Sequence, residues 1–466
     1  YCHARTITSG SDDVIIAVYD SGVDTIHPDL NIHPVSFDTY TATSPARING
    51  YHGTACAGII AGQSNNNLGV SGIAPSCPIM SISIHNQANP EQIANGFIFA
   101  ADNGCSVISC SWSYSVLSEF IDNAISYALE NGRNGLGCVV AFASGNDNSR
   151  HINYPANCDE RIIVVGAMSP CGQRKSITSC DGENWGSNYG VELDVVAPGV
   201  SIPTTDRTGT EGKNSTDYIL GFNGTSAACP HVAAVAGLLL SINPYLTTID
   251  ISNIIESTAQ KIGNYTYSIE DNRPNGKWNK KVGYGLVDAY AAILQAKTKY
   301  IQNKTYQDGS NVVEKYSEII IGHSVTDNVP YGDVLLEAGS DVTFKAIDKV
   351  ILKPGFHAQS GCKLQIVIDN PNILQSSVVP QCVASRPYSM PANNTGLGNE
   401  AITSNHFENI ESEMIQSTSI YTVSGQLLQT IEDGQRDAAN LPNGMYILQH
   451  RMSDGSIRSE KIANQK

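Results

Sequence analysis

Basic residues are in short supply in this chain: 28 Lys and Arg stand against 44 Asp and Glu, a net charge of −16. A surface this acidic repels phosphate backbones, which excludes nucleic acid as a partner. Long apolar runs are also missing. None approaches the ~20 residues that cross a bilayer, so no membrane-spanning segment is expected. The twelve cysteines contain no Cys-x-x-Cys pair, which argues against a zinc site, and no metal ligand set is assigned. A signal peptide is not seen either: the chain opens on Tyr1-Cys-His-Ala4 and reaches a strand by Val14. A leader or propeptide removed by processing is therefore expected.

The 466 residues are too many for one compact core, so two to four domains are expected. A hydrophobic content of 41% marks a globular chain, and 41 Gly with 20 Pro imply many turns. An even cysteine count permits disulfides and fits an oxidising compartment. Cys171 and Cys180 flank a short polar loop and form the first candidate pair. Cys105 and Cys138, each at the start of an expected strand, form the second. Cys56 and Cys229 read as small buried apolar residues.

Residues 14–19 form an unbroken apolar run, as expected of a strand buried on both faces of a parallel sheet. The run ends in Asp20-Ser-Gly-Val-Asp24, which puts a carboxylate at the carboxyl end of a strand, where open α/β sheets place their sites. His52 opens a helix whose buried stripe is Ala55, Cys56, Ile59 and Ile60. Strands and helices then alternate: strand 79–84, helix 93–101, strand 107–112, helix 120–129 and strand 138–142. The last ends in the turn Ala143-Ser-Gly-Asn146. Strands follow at 161–167 and 191–196, and helices near 247–259 and 287–296. This alternation implies a doubly wound parallel sheet with right-handed crossovers.

The chain is organised around Gly221 to Leu240. A turn of small residues delivers Ser226 to the first turn of a helix that is apolar nearly all round (Val232, Val235, Leu238, Leu239, Leu240), as befits the inside of a large domain. Pro230 fits an early helical turn. A hydroxyl at the positive end of a buried helix is placed for nucleophilic attack, with neighbouring N–H groups free to hold an oxyanion. Read singly, each residue has an ordinary structural use: Ser226 as a helix cap, Asp20 as a turn former, His52 as a packed polar residue.

Taken together, Asp20-Ser-Gly-Val-Asp24 with His27-Pro-Asp-Leu30, His52-Gly-Thr54, Ala143-Ser-Gly-Asn146, Glu192 to Gly199, and Gly224-Thr-Ser226 with Pro230-His-Val-Ala233 resemble the subtilisin-like serine proteases. The likeness runs in order through about residues 7–297, and Asp…His…Ser is the subtilisin order. The resemblance implies Ser226 as nucleophile, His52 as base, Asp20 as its orienter and Asn146 as an oxyanion donor. It also implies that a protein or peptide substrate lies as an added strand between Ser111-Trp112-Ser113 and Ala143-Ser144-Gly145. No cofactor is needed for catalysis. Asp29 and Asn66 match calcium-ligand positions of some members, and hard oxygen donors there suit Ca²⁺; an Asn-rich surface turn is the other reading. The chain departs from the family pattern at Ala227, where Met is common, and at Trp112 and Ser113, where a small apolar residue and Gly are usual. The first departure implies tolerance to peroxide. The second leaves the preferred residue before the cleaved bond open.

The sequence divides into the α/β domain (1–297), a polar linker (298–317), a small all-β module (318–370), a flexible spacer rich in Pro, Asn and Ser (371–410) and a β-sandwich (411–466). In the module, Glu337 to Ser340 and Lys353 to Gly355 supply turns, and His323 and His357 read as surface residues. The last segment, with Val423-Ser-Gly425 and Leu441-Pro-Asn-Gly-Met-Tyr446, resembles the C-terminal sorting domain of the type IX secretion system of Bacteroidota. This implies the type IX machinery as a partner and a secreted or outer-surface location. The resulting expectation is a serine endopeptidase; its competitor is a catalytically silent adhesin that binds protein or carbohydrate through its β modules.

Overall fold

The computed structural model describes residues 2–326 and 330–369, together with the backbone of four strands between residues 415 and 464. The chain divides into two units, Tyr1–Ala384 and Ser385–Lys466.

After a short helix α1 (Cys2–Arg5), strands β1 (Ile15–Asp20), β2 (Phe37–Asp38), β3 (Ile79–Ser83), β4 (Cys105–Cys110), β5 (Val139–Ala143), β6 (Ile163–Met168) and β7 (Val195–Pro198) form one parallel sheet, in the order β2-β3-β1-β4-β5-β6-β7. The order reverses at β1, between β3 and β4. Side chains at the carboxyl ends of β1 and β4 therefore border the crevice where doubly wound sheets carry their sites. Intervening helices α2 (His52–Ala61), α3 (Pro90–Asp102) and α4 (Glu119–Gly135) cover the sheet. Helix α3 starts where the sequence gives it a reciprocal cap: Asn89 accepts from the Gln92 N–H while Gln92 accepts from the Asn89 N–H.

A two-stranded hairpin, β8 (Ile202–Thr205) and β9 (Tyr218–Phe222), leads into α5 (Thr225–Ile242). By length and composition α5 could cross a bilayer, with a mean hydropathy of 1.6, but it is the central core helix and 89% buried. It packs against α2 and against strands β4 to β7. Its uniform apolarity follows from this place, since no face meets water. Helices α6 (Thr248–Ser257) and α7 (Ala289–Lys297) complete the domain.

The expected linker at 298–317 is instead the start of a parallel β-solenoid. Strands β10 (Thr298–Ile301), β12 (Asn311–Ile321), β14 (Asp341–Leu352) and β16 (Lys363–Ile368) stack as one parallel sheet. Strands β11 (Lys304–Tyr306), β13 (Val334–Leu336) and β15 (Phe356–Ala358) stack as another. Each circuit of the chain lays one strand on each sheet. Only inward positions need to be apolar in such a stack, and Ile301, Tyr306, Ile319, Val334, Leu336, Val342 and Phe344 fill a separate core. A polar composition at 298–317 is thus compatible with strand. The turns join different sheets rather than neighbouring strands. One corner repeats as Gly309, Gly339 and Gly361, all at positive φ, with the Gly309 N–H facing the Gly339 carbonyl and the Gly339 N–H facing the Gly361 carbonyl. A Cβ on Gly339 would strike Asp308. The solenoid is tied to the α/β domain: α7 runs directly into β10, Lys297 Nζ lies 2.8 Å from Glu318 Oε1, and the Tyr245 hydroxyl donates to Asp369 at 2.8 Å.

In the second unit, β17 (Ile415–Thr422), β18 (Leu427–Glu432), β19 (Gly444–Met452) and β20 (Ile457–Asn464) make one antiparallel sheet, ordered β18-β17-β19-β20. Among the described residues this is a single layer, where a sandwich is expected from sequence. The spacer 371–410 and the turn residues Val423 to Gly425 and Leu441 to Asn443 lie outside the described residues.

Candidate active site

Asp20 is the last residue of β1, and His52 is the first of α2. The imidazole Nδ1 lies 2.9 Å from both carboxylate oxygens. A carboxylate only accepts, so Nδ1 carries the proton and Nε2 is left basic. Asp20 is 3% exposed and also receives the Ser21 N–H at 2.7 Å. The Ser21 hydroxyl in turn accepts the Gly53 N–H, which stitches the end of β1 to the start of α2. Burial by itself would push the imidazole down; the Asp20 carboxylate prevails and holds it well above the ordinary histidine value. The Phe222 ring packs against His52 at 5.3 Å and 70°, fixing its other face.

Ser226 sits in the first turn of α5, after Gly224 at φ +115°. Its hydroxyl donates to the Ser111 carbonyl at 3.3 Å, and no hydrogen bond joins it to His52 at rest. The two are nonetheless neighbours, since the Cys56 thiol, one turn beyond His52, lies 3.6 Å from the Ser226 carbonyl. Rotation about the Ser226 Cα–Cβ bond redirects the hydroxyl, and catalytic hydrogen bonds commonly tighten only on substrate binding. Among the described residues the Ser226 N–H has no partner.

Asn146 follows β5 in a tight turn. Its Oδ1 accepts from both the Thr225 N–H (2.8 Å) and the Thr225 hydroxyl (3.0 Å). The amide is thereby oriented, and among the described residues Nδ2 has no hydrogen-bond partner and is open to a ligand. Thr225 Oγ1 also accepts the Gly145 N–H at 3.2 Å, so one hydroxyl spans both turns. The site thus contains a hydroxyl, an oriented imidazole, and two N–H donors next to the hydroxyl. That set is suited to attack on a carbonyl and to holding the oxyanion that results.

Residues 11–285 match the Subtilase family. The chain belongs to the subtilase family. It is 37% identical over 272 residues to subtilisin E of Bacillus subtilis, covering 57% of this chain and 65% of that protein. To the subtilisin of Bacillus pumilus it is 36% identical, covering 90% of the relative. A calcium-dependent protease of Trichormus variabilis is 35% identical over 324 residues, and this chain spans only 46% of its length. Among solved structures, a protease from Pseudoalteromonas arctica superposes with a TM-score of 0.50 at 27% identity, covering 63% of this chain and 92% of that one.

In this subtilase the segments expected to flank substrate leave the carboxyl ends of β4 and β5. Ser111 turns its hydroxyl to the Ser226 carbonyl at 3.0 Å. Trp112 lays its indole into the layer beneath α3, where Nε1 donates to the Tyr19 carbonyl at 2.7 Å and the ring packs on Tyr19 and Phe142. Its bulk thus joins the wall of the core. Ser113 has a backbone N–H and C=O without partners among the described residues. Across from it, Ser144 is fully buried, Ala143 nearly so, and Gly145 sits at φ +104°. A Cβ on Gly145 would strike the amides of Asn153 and Asn188.

Cys171 and Cys180 are joined in a disulfide. Cys105 and Cys138 are not: the Cys138 thiol donates to the Cys105 carbonyl at 3.0 Å, and the Cys105 thiol to the Val107 carbonyl at 2.9 Å. On adjacent parallel strands each sulfur therefore turns to a backbone carbonyl instead of the other sulfur. Cys56 and Cys229 are buried, but Cys56 also lies 4.0 Å from Asp20 and from His52. Burial pushes its thiol up, so it stays protonated. His323 and His357 are exposed yet share one partner, with Asp333 oxygens 2.6 and 3.2 Å away.

Sequence reasoning missed Thr225, Ser21 and Phe222 as orienters. Thr225 was visible as the neighbour of the nucleophile; Phe222 and Ser21 act across chain separations that carry no local signal.

Proposed function

We propose that this subtilase is a secreted serine endopeptidase that cleaves peptide bonds through an acyl-enzyme on Ser226. The observation that supports this reading most directly is His52, whose Nδ1–H donates a hydrogen bond to Asp20 and so keeps Nε2 basic beside the Ser226 turn. His52 Nε2 takes the hydroxyl proton as Ser226 Oγ bonds to the substrate carbonyl carbon. Charge moves to the carbonyl oxygen, where Asn146 Nδ2 and the Ser226 N–H receive it. The imidazolium then gives its proton to the leaving amine. Water, activated by the same imidazole, releases the acyl group and restores Ser226. Substrate pairs as an added strand with the open backbone groups at Ser113, which gives affinity with little sequence choice.

Subtilisins need no cofactor for this chemistry. For structural calcium, Asp29 and Asn66 lie together, but Asn66 turns Nδ2 to Asp29 at 2.7 Å and Oδ1 to the Leu68 N–H. The second Asp29 oxygen takes the Val70 N–H at 3.0 Å. With one carboxylate facing N–H donors, this donor set fits a self-satisfied turn and not the six to eight oxygens of a calcium shell.

Export by a type IX machinery through residues 411–466 is the companion reading. Its supports are the Cys171–Cys180 disulfide, which suits an oxidising compartment, and the sorting-domain resemblance. Fusing those residues to a reporter and assaying its release tests it.

The deciding experiment for the activity is covalent labelling with a fluorophosphonate probe alongside hydrolysis of casein. Wild type labels and cleaves; Ser226→Ala does neither while keeping its circular-dichroism spectrum. A chain that neither labels nor cleaves is a silent, adhesin-like subtilase.

A further inference from the structure

Between β6 and β7 runs a loop that the mechanism above does not use. It is closed on itself by the Cys171–Cys180 disulfide and by a fully buried cation. Lys175 Nζ lies 2.8 Å from Asp181 Oδ1 and donates to the carbonyls of Ser176 and Glu183, at 3.0 and 2.8 Å. It also sits 4.9 Å above the Trp185 ring. A charge so buried is tolerated only with this full set of partners, which makes the loop a fixed body.

The body is bonded to both halves of the oxyanion site. Glu183 Oε1 accepts from Asn223 Nδ2 at 2.7 Å, three residues before Ser226. Glu183 Oε2 accepts from Trp185 Nε1 at 2.6 Å, which fixes the carboxylate. On the other side, the Asn148 N–H donates to the Gly186 carbonyl at 2.8 Å and the Asn188 N–H to the Gly145 carbonyl at 2.8 Å, so the Asn146 turn is held as well.

We propose that Glu183 is a positioning residue: through Asn223 it sets the distance between the Ser226 N–H and the Asn146 amide, with the disulfide loop as its mount. This rests on the peptidase reading above. No bond to substrate is involved. The effect is confined to the developing oxyanion, because the two donors it spaces bind strongly only when charge forms there.

The test uses the full chain. First, wild type must label with the fluorophosphonate and cleave a peptide anilide; failure here sinks the peptidase reading and this proposal with it. Next, kcat and KM are measured for Glu183→Ala and Glu183→Gln, with affinities for a peptide boronic acid and for a non-reacting product peptide. In Glu183→Ala, kcat falls about tenfold, the effect of one charged hydrogen bond, with KM unchanged within twofold. Boronic acid affinity falls by the same factor, and the product peptide binds as before. Glu183→Gln keeps an oxygen for Asn223 and stays within about threefold of wild type. Should Glu183→Ala not fold, Trp185→Phe removes the bond that orients the carboxylate while keeping a ring beneath Lys175, and gives a smaller loss of the same pattern. Wild-type kcat and boronic acid affinity in these variants, or an equal loss of product-peptide binding, overturns the assignment while leaving the peptidase reading intact.

Discussion

Ser111 and Ser226 hold each other: the Ser111 hydroxyl donates to the Ser226 carbonyl at 3.0 Å, and the Ser226 hydroxyl donates to the Ser111 carbonyl at 3.3 Å. The end of β4 and the start of α5 are therefore locked face to face before substrate arrives. The first bond persists when the nucleophile rotates toward His52, whereas the second must break.

Ser111→Ala removes the persistent bond. The expected outcome is a kcat lowered about fivefold, the ~1 kcal/mol net value of one hydrogen bond, with KM little changed. Steady-state kinetics on a peptide anilide checks it, and an unaltered kcat would show that the bond does not position the nucleophile.

Asn146→Ala deletes one oxyanion donor and leaves Thr225 without its acceptor. Turnover is expected to fall by about 10²–10³, with substrate binding nearly untouched, the magnitude known for loss of such an amide in a subtilisin. A variant with unchanged kcat removes Asn146 from this role.

The Asp20 carboxylate raises the His52 pKa, so the acid limb of kcat/KM is expected at a pH above ~6.5, with activity rising as the imidazole loses its proton. Stability moves the other way. The imidazolium–carboxylate pair contributes fully below the unfolded-state value of ~6.5, and its contribution is lost as pH rises through the higher folded value. A pH–rate profile set beside thermal melts at several pH values reads both; Asp20→Asn moves the limb of the residual activity downward.

Ala227, fully buried next to the nucleophile, offers no thioether, and the protonated Cys56 thiol is 1% exposed. Activity is expected to survive dilute peroxide, and Ala227→Met to become sensitive. Rapid inactivation of the wild type by peroxide is the contrary result.

Because Asp29 is satisfied by Asn66 and Val70, a chelator should leave activity and the thermal midpoint unchanged. A midpoint lowered by several degrees and restored by Ca²⁺ would show that the turn rearranges around the ion.

The local conformation of the candidate site's groups was legible beforehand because they lie in short, dense motifs. Asp20 at the end of an apolar run, His52 at a helix start and Ser226 on a small-residue turn each declare their local conformation. The alternation of strands and helices likewise predicts the parallel sheet, since a parallel pair needs a crossover. The all-β character of 318–370 was legible, but its winding as a solenoid that begins at 298 was not. Its strands are paired by stacking, and their inward apolar positions are too sparse at 298–317 to distinguish strand from polar linker.

By itself the sequence determined the short motifs that hold Asp20, His52, Asn146 and Ser226 and the doubly wound sheet they lie on, because local pattern fixes helix, strand and turn. Only the tertiary structure decided the partners: that Ser226 rests on Ser111, that Thr225 aims Asn146, that Cys105 and Cys138 stay apart, and that Glu183 reaches Asn223. Those choices depend on distances between residues tens to hundreds of positions apart, which are set by packing the whole domain and leave no trace in any local stretch.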